Sequence, residues 1–249
     1  MSTEKPQAGR IALVTGASRG IGAATALAFA KAGAHVIATA RTTSALEELD
    51  DRIRDAGGTA TLVPFDLKDF PAIDRLGASL HERFGRLDVL VGNAGVLGPL
   101  SPLGHVDPKA FDEVLAVNVT ANWRLIRSLD PLLRASEAGR AVFVTASAAW
   151  DAQAYWGPYA VSKAALDMLV RTYAAETRST SRVRVNLFKP GPIRTRMRAL
   201  AMPGEDPLTL ERPEAVAREI VALADPSLEE TGMAFDHNAG RMLAFRAPA

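Results

Sequence analysis

Short apolar runs alternate along the chain with longer segments in which apolar residues recur every three or four positions. The short runs are rich in β-branched residues, as buried strands are, and the longer segments have the spacing of amphipathic helices. Strands separated by crossover helices form a parallel sheet that is covered on both faces, so the pattern predicts a doubly wound α/β fold. Strands are predicted near 10–15, 35–40, 60–65, 87–92, 140–145 and 183–188, and helices near 20–32, 43–56, 70–84, 108–135, 157–178 and 213–224.

The domain organisation follows from length and pattern. The chain has 249 residues, of which 48% are hydrophobic, and this is enough to bury one sizeable core. No repeat, low-complexity tract or linker interrupts the pattern, so we predict a single domain over 10–249. Residues 1–9 are expected to form a loose tail. Residues 192–212 are rich in Pro, Arg and Met with weak periodicity, and we expect a substrate lid there.

Composition excludes several classes of function. Lys and Arg number 29 against 28 Asp and Glu, a balance that does not suit a nucleic-acid binder. No apolar run approaches the roughly 18 residues of a membrane span. The chain has no cysteine and four scattered histidines, so neither a metal site nor thiol chemistry is expected. The first residues lack the apolar core of a signal peptide, and we expect a soluble cytoplasmic protein without a membrane partner.

The first predicted strand runs directly into a glycine-rich turn and then into an alanine-rich helix. Gly16 permits a sharp turn, Gly20 permits close approach of a ligand, and Gly22 permits tight packing of the helix. A helix N-terminus also presents free N–H groups and a positive dipole end to an anion. The pattern therefore predicts a pyrophosphate site, the alternative being an ordinary glycine-rich turn. The loop is Thr15-Gly16-Ala17-Ser18-Arg19-Gly20-Ile21-Gly22.

This spacing, GxxxGxG, resembles the short-chain dehydrogenase/reductase family of the classical type, including its 3-oxoacyl-carrier-protein reductase-like members. The resemblance covers roughly residues 10–240 and implies a Rossmann fold that transfers hydride between a nicotinamide cofactor and a carbonyl or alcohol. One position departs from the family's N-N-A-G stretch, since Gly92 stands where Asn is commoner. Further motifs match in order: Asp66-Leu67, Asn93-Ala94-Gly95, Asn118, Tyr159 with Lys163, and Pro190-Gly191-Pro192-Ile193-Arg194-Thr195.

The resemblance also implies a role for each motif. Asp66 meets the adenine amine, the segment from Pro190 to Thr195 holds the nicotinamide, and Lys163 bonds the nicotinamide ribose. Asn118 supports a water that links the lysine to solvent. The expected cofactor-binding residues are Gly16, Ser18, Arg19, Gly20, Ile21, Gly22, Arg41, Asp66, Leu67, Asn93, Ala94, Gly95, Tyr159, Lys163, Pro190, Gly191, Ile193 and Thr195.

The end of the second strand bears on the choice of dinucleotide. An acid there accepts hydrogen bonds from the ribose 2′-OH of NAD, whereas an arginine pairs with a 2′-phosphate. Ala40 holds the position of the acid, Arg41 follows it, and Arg19 lies in the glycine loop. We therefore expect NADP(H) as the preferred cofactor and NAD(H) as the less favoured one. The alternative is that Arg41 only begins a solvated loop.

Tyr159 and Lys163 are four residues apart on a predicted helix and so share one face. An ammonium beside a phenol favours the phenolate, and we expect it to lower the pKa of Tyr159. Tyr159 is then the candidate general acid/base, with Lys163 and Asn118 as further catalytic candidates. The alternative is an exposed Tyr–Lys pair without a function.

The family's substrate-binding serine is absent from its position. Thirteen residues before Tyr159 the chain has Ala146, flanked by Thr145 and Ser147. Either a local shift lets Ser147 serve, which we favour, or a loop group or a water replaces the hydroxyl. Thr145 is expected to point away, because successive strand residues face opposite sides.

The predicted function is an NADP(H)-dependent oxidoreductase acting on a small-molecule carbonyl or secondary alcohol. A 3-oxoacyl thioester is the alternative substrate, and a cofactor-binding sensor or scaffold with little turnover is the alternative of another class. Aromatic and thioether side chains suggest an apolar or ring-containing substrate, or they only fill the core. By resemblance we expect a homo-oligomer, a tetramer or dimer, formed through the helices near 108–135 and 157–178. The aromatic and thioether side chains that suggest this kind of substrate are Trp150, Tyr155, Trp156, Met197 and Met202.

Overall fold

The computed structural model describes residues 5–245, and all eight strands found in that range belong to one sheet. The order is β3-β2-β1-β4-β5-β6-β7-β8, with β1 to β7 parallel and β8 antiparallel to β7. The predicted doubly wound parallel fold is therefore confirmed. The strands are β1 (Ile11–Thr15), β2 (His35–Ala40), β3 (Thr59–Pro64), β4 (Val89–Gly92), β5 (Arg140–Val144), β6 (Arg184–Lys189), β7 (Met233–Asp236) and β8 (Arg241–Ala244).

Helices cover both faces of this sheet. They are α1 (Gly20–Lys31), α2 (Thr43–Asp55), α3 (Phe70–Phe84), α4 (Pro108–Leu115), α5 (Ala121–Ala135), α6 (Gly157–Arg178), α7 (Arg196–Ala201) and α8 (Pro213–Leu223). Leu13 of β1 packs in the cluster of α3, α5 and α6, whereas its neighbour Val14 packs in the cluster of α1, α2 and α8. Because β1, β4 and β5 are buried at every position, their sequences are almost continuously apolar. No helix between residues 5 and 245 combines the length and apolarity that crossing a membrane requires.

The strand order places the functional end of the sheet. From β1 the chain moves outward through β2 to β3, then returns to β4 beside β1 and continues in the other direction through β5 and β6. The loops after β1 and β4 therefore diverge and leave a crevice at the carboxyl ends of the strands, where ligands bind in folds of this kind.

The single helix predicted over 108–135 is wrong in its middle. A π-helical turn, Ala116–Thr120, separates α4 from α5. Asn118 lies in this turn, and its side-chain amide exchanges two hydrogen bonds of 2.9 Å with the backbone of Val96. The π-helical turn is thus accompanied by hydrogen bonds from Asn118 to a loop that is distant in sequence. The helical spacing of apolar residues along 108–135 does not predict such hydrogen bonds.

Three elements were missed by the sequence analysis. Strands β7 and β8 have only four residues each and form a hairpin at the edge of the sheet, too short for a clear alternation. Helix α7 lies inside the stretch 192–212, where the periodicity is weak and only six residues are helical.

The expected loose tail is also corrected. Residues 1–4 lie outside the described residues, but Gln7 is buried, with 1% of its surface exposed. Its backbone N–H donates to Ala32 at 2.9 Å, and its side chain donates to the carbonyl of Ala224 at 3.4 Å. The segment 5–9 therefore packs on the ends of α1 and α8, because its polar groups satisfy backbone carbonyls there.

Candidate active site

The glycine loop after β1 forms a tight turn that only glycine fits. Gly16 has a φ of +66° and Gly20 a φ of +56°, a conformation that glycine adopts without steric cost. A Cβ atom on Gly22 would lie 2.2 Å from the carbonyl oxygen of Gly16. The start of α1 thus packs directly against the turn and leaves a shallow backbone cradle above it.

The same loop has backbone donors without partners. Among the described residues, none of the N–H groups of residues 18–22 donates a hydrogen bond. Arg19 is the N-cap residue of α1 and makes no side-chain cap. Unpaired N–H groups at a helix N-terminus form an anion site, and Gly16 and Gly20 add no side chain beside these N–H groups. These residues therefore fit the pyrophosphate of a dinucleotide.

Thr15 connects this loop to the loop after β4. Its hydroxyl donates to the carbonyl of Val91 at 3.2 Å and accepts from the N–H groups of Asn93 and Ala94, each at 3.0 Å. The side chain of Asn93 donates to the carbonyl of Thr15 at 2.9 Å. The predicted residues Asn93 and Ala94 thus lie beside the glycine loop, and Thr15 is a structural contributor that the sequence analysis did not single out.

The ends of β2 and β3 bring two further predicted residues together. The Arg41 guanidinium lies 4.0 Å from the Asp66 carboxylate, and 59% of the Arg41 side chain is exposed. Arg19 is also exposed, whereas Leu67 is buried. A cationic, solvent-accessible group therefore stands at the position from which it can meet a ribose 2′-phosphate.

Tyr159 and Lys163 lie in the first turns of α6, both almost fully buried. Lys163 Nζ donates a 2.7 Å hydrogen bond to the carbonyl of Val144, the last residue of β5, and lies 5.8 Å from the centre of the Tyr159 ring. The predicted common face is therefore confirmed. The side chains meet at the carboxyl end of the sheet, in the crevice that also holds the glycine loop.

The predicted lowering of the Tyr159 pKa is wrong for the chain without a cofactor. Burial raises the pKa of Tyr159 to about 12, and burial also lowers the pKa of Lys163 to about 8, against the charge of Asp167. The reason is desolvation: both groups are shielded from water, and the ammonium is directed at Val144 rather than at the phenol. The phenol is therefore protonated at neutral pH.

Asn118 is completely buried and fixed on three sides. Besides its two bonds to Val96, its side chain donates to the hydroxyl of Ser162 at 2.9 Å, and that hydroxyl donates to the carbonyl of Tyr159. Its own carbonyl accepts from Asn122 at 2.8 Å. The predicted residue thus belongs to a network that reaches the Tyr159 backbone, and Asn122 is a member that the sequence analysis missed.

The three candidate positions for a substrate hydroxyl differ in their surroundings. Thr145 is buried and donates to the carboxylate of Asp167, so its hydroxyl is engaged, as the strand alternation predicted. Ala146 has an extended backbone, lies two residues after the end of β5 and immediately precedes a short 3₁₀ turn. Ser147 begins a short 3₁₀ turn, Ser147–Ala149, and is exposed. Of the three positions, only Ser147 combines a hydroxyl with access to solvent.

The segment after β6 closes the other side of the crevice. Gly191 has a φ of +69°, and a Cβ atom there would meet the Asn238 side chain at 2.3 Å. A Cβ atom on Gly20 would lie 3.4 Å from Thr195, so this segment faces the glycine loop. Thr195 caps α7 by accepting from the N–H of Arg198 at 3.1 Å. Of the predicted residues, Thr195 thus lies beside the glycine loop, Ile193 packs in the apolar cluster that contains α1, and Pro190 is buried at the end of β6.

The stretch predicted as a lid encloses its own small cavity, of about 220 Å³. Arg198 and Glu205 form two hydrogen bonds of 2.6 Å across it. The Arg198 guanidinium holds the pKa of Glu205 below its usual range. Met202 lines this cavity and so lies under α7, whereas Tyr159 does not line it. The cavity is therefore separate from the reacting groups.

The site and fold together define a dinucleotide-dependent oxidoreductase, and comparisons with known proteins identify the family. A family model described as short chain dehydrogenase matches residues 10–206. The chain is 37% identical over 236 residues to the uncharacterized oxidoreductase YciK of Escherichia coli (strain K12), with 93% of each covered. The chain therefore belongs to the short chain dehydrogenase family, as an NAD(P)-dependent enzyme, and the suspected resemblance is confirmed.

Solved structures agree with this assignment. A protein described as a short chain dehydrogenase from Pseudomonas syringae is 38% identical, with a TM-score of 0.91 over 95% of this chain and 97% of that chain. A protein from Escherichia coli CFT073, solved in complex with NADPH, is 36% identical, with a TM-score of 0.89 over 94% of this chain and 99% of that chain.

Proposed function

We propose that this chain is an NADP(H)-dependent oxidoreductase that interconverts a small-molecule carbonyl compound and its secondary alcohol. The main support is that the Tyr159–Lys163 pair and the unpaired N–H groups of the glycine loop flank the same loop after β4. A Cβ atom on Gly16 would lie 2.9 Å from Ala94 Cα, and one on Gly95 would lie 3.7 Å from Lys163 Nζ. One set of groups suits a pyrophosphate and the other suits proton transfer to an oxygen. The NADPH complex of the related Escherichia coli CFT073 protein supports the choice of cofactor.

The chain offers a partner for each part of the cofactor. The N–H groups of residues 18–22 would bind the pyrophosphate, and Arg41 with Arg19 would bind the 2′-phosphate. Asp66 and Leu67 would contact the adenine, and the segments 93–95 and 190–195 would contact the nicotinamide. NAD(H) is the weaker cofactor on this proposal, because it leaves the arginines without a phosphate.

In this mechanism the bound nicotinamide supplies or accepts the hydride. Tyr159 donates a proton to the carbonyl oxygen during reduction, and the neutral phenol that burial favours is the form required for this step. Ser147 donates a hydrogen bond to the same oxygen as negative charge develops on it. Lys163 would donate to the nicotinamide ribose of the bound cofactor, and Asn118 keeps the first turn of α6 in place through Ser162.

The mouth of the site favours an apolar carbonyl substrate. Tyr155, next to α6, is 61% exposed with a φ of +73°, and Leu103 of the neighbouring loop is 65% exposed. Trp156 packs edge-on against Tyr159 with ring centres 6.0 Å apart, so it is a wall of the site. A 3-oxoacyl thioester is the second candidate, because it presents the same ketone on an extended apolar chain.

Oxidation of NADPH with a panel of ketones, aldehydes and 3-oxoacyl thioesters tests the proposal. We expect turnover with apolar ketones and none after Tyr159→Phe. Tight binding of NADPH without turnover of any compound would favour the cofactor-binding sensor or scaffold, for which Ala146 is the supporting observation.

We further propose that the enzyme is a homo-oligomer, a tetramer or dimer, formed through α5 and α6. Trp123, Val161 and Met168 leave large apolar areas exposed on these helices, at 45%, 46% and 56%. Exposed apolar patches of this kind are covered in stable assemblies. Light scattering after size exclusion tests this, with Met168→Glu expected to lower the mass. A cytoplasmic location stays a prediction.

A further inference from the structure

A buried carboxylate that the proposed reaction does not use lies one helical turn after Lys163. Asp167 of α6 is 4% exposed. It accepts a hydrogen bond from the Thr145 hydroxyl and another, of 2.7 Å, from Trp150 Nε1. A buried polar group is stable only when its hydrogen bonds are made, and here both carboxylate oxygens have a donor.

We propose that Asp167 is a positioning residue for the reaction, which keeps Lys163 charged and anchors the turn that carries Ser147. This inference rests on the proposed function, because it takes Lys163 and Ser147 as groups that act on cofactor and substrate. Asp167 itself touches neither.

Asp167 acts first on the charge of Lys163. Its ammonium is buried, and its hydrogen-bond partner, the Val144 carbonyl, is neutral. Residues four apart on a helix are neighbours, so the Asp167 carboxylate supplies a negative charge that opposes the effect of burial on the pKa of Lys163. The other titratable or charged side chains around the pair are Tyr159 and Arg171 of α6, and Lys189, which is paired with Asp236.

Trp150 follows the 3₁₀ turn Ser147–Ala149 and connects this turn to Asp167. Its backbone N–H donates to the carbonyl of Ser147 at 2.8 Å, while its indole N–H donates to Asp167. Its ring lies edge-on to Phe245 at 5.7 Å and under Lys189 Nζ at 4.6 Å. The position of Ser147 thus depends on a tryptophan whose polar end is held by Asp167.

Asp167→Asn separates the charge from the hydrogen bonds. The amide oxygen still accepts from Trp150 and the amide nitrogen donates to the Thr145 oxygen, so both bonds remain while the negative charge is lost. Loss of an anion disfavours the protonated forms of both Lys163 and Tyr159, so the alkaline limb of the kcat/KM profile moves to lower pH. Glu176→Gln, an exposed carboxylate on the same helix, is the matched control.

Carbon-13 NMR of the lysine Cε atoms gives a readout that needs no turnover. The chain has six lysines, and Lys163, with a pKa of about 8, titrates apart from exposed ones. In D167N we expect its midpoint to fall by at least about half a pH unit, with no change in E176Q. An unchanged midpoint in D167N overturns the charge role.

Trp150→Phe tests the anchoring role independently, including the case in which D167N does not fold. Phenylalanine keeps a ring against Phe245 and Lys189 but cannot donate to Asp167. We expect kcat to fall by about tenfold with the midpoint of Lys163 unchanged. Wild-type kcat in W150F overturns the anchoring role. If the wild type turns over no carbonyl compound, the proposed function fails, while a lowered midpoint in D167N still establishes the coupling of Asp167 to Lys163.

Discussion

The ammonium of Lys163 donates its hydrogen bond to the carbonyl of Val144, so the end of β5 holds the side chain beside Tyr159. The strand end therefore orients the pair, and the phenol itself receives no hydrogen bond from Lys163. On the proposed mechanism, this arrangement separates the phenol that transfers the proton from the ammonium that carries the charge. Substitutions at the two positions should have different consequences.

Tyr159→Phe removes only the phenolic hydroxyl. We expect kcat to fall by at least about a hundredfold, the scale of a lost general acid, while the affinity for NADPH stays within a few-fold. Steady-state kinetics and fluorescence titration measure the two quantities. A variant that kept a large part of the wild-type rate would remove Tyr159 from the mechanism.

Lys163→Met should stabilise the protein while impairing it. The folded-state pKa of Lys163, about 8, lies below its ordinary value of 10.5, so the unfolded chain binds the proton more tightly. Stability is therefore lost as the pH falls from 10.5 to 8, and removing the ammonium recovers it. We expect the free energy of unfolding at pH 7 to rise by about 1–3 kcal/mol and the gain to vanish only above the unfolded pKa, near pH 11. Urea unfolding at both pH values checks this, and equal gains at both would contradict it.

Cofactor preference should depend on Arg41. Arg41→Ala is expected to weaken NADPH binding by about ten- to a hundredfold, the scale of a lost charge-assisted contact, and to leave NADH binding little changed. Combining it with Ala40→Asp should invert the preference, because the acid can accept hydrogen bonds from the ribose 2′-OH. Arg52→Ala on the exposed side of α2 is the control. Equal wild-type affinities for NADH and NADPH would refute the assignment.

Two reciprocal variants can show which group replaces the hydroxyl that is absent at Ala146. If Ser147 donates to the substrate oxygen, Ser147→Ala should lower kcat/KM by roughly ten- to a thousandfold, and Ala146→Ser should add little. If the hydroxyl is absent, Ser147→Ala should be nearly silent and Ala146→Ser should raise the activity. No effect of either variant would place the donor in the loop 148–157 or in a bound water.

The contact between Gly22 and Gly16 should tolerate no side chain. Gly22→Ala places a methyl group 2.2 Å from the Gly16 carbonyl oxygen, so the start of α1 must move away from the turn. We expect a loss of about 1–3 kcal/mol in the free energy of unfolding and weaker NADPH binding. Gly104→Ala is the control, since a Cβ atom there meets nothing within 4 Å. Thermal unfolding and cofactor titration of both variants decide the matter.

The features that the sequence predicted correctly are local or repetitive. The alternation of apolar runs and amphipathic segments determines the parallel sheet, because each strand is buried by helices on both faces. Gly16, Gly20 and Gly22 lie in a single strand-to-helix turn, and Tyr159 and Lys163 are one helical turn apart. Such relations depend on neighbours along the chain and can be recognised without the fold.

Only the tertiary structure decided which distant groups meet. The π turn around Asn118 accompanies partners in the loop after β4, and Gln7 is buried because α1 and α8 end beside it. Strand β7 pairs with β6, and the edge strand β8 pairs with β7. The pKa directions of Tyr159 and Lys163 depend on burial, which spacing along a helix does not specify. The sequence by itself thus determined the elements and their local chemistry, whereas packing determined the solvation and partners of the reacting groups, because both depend on residues far apart in the chain.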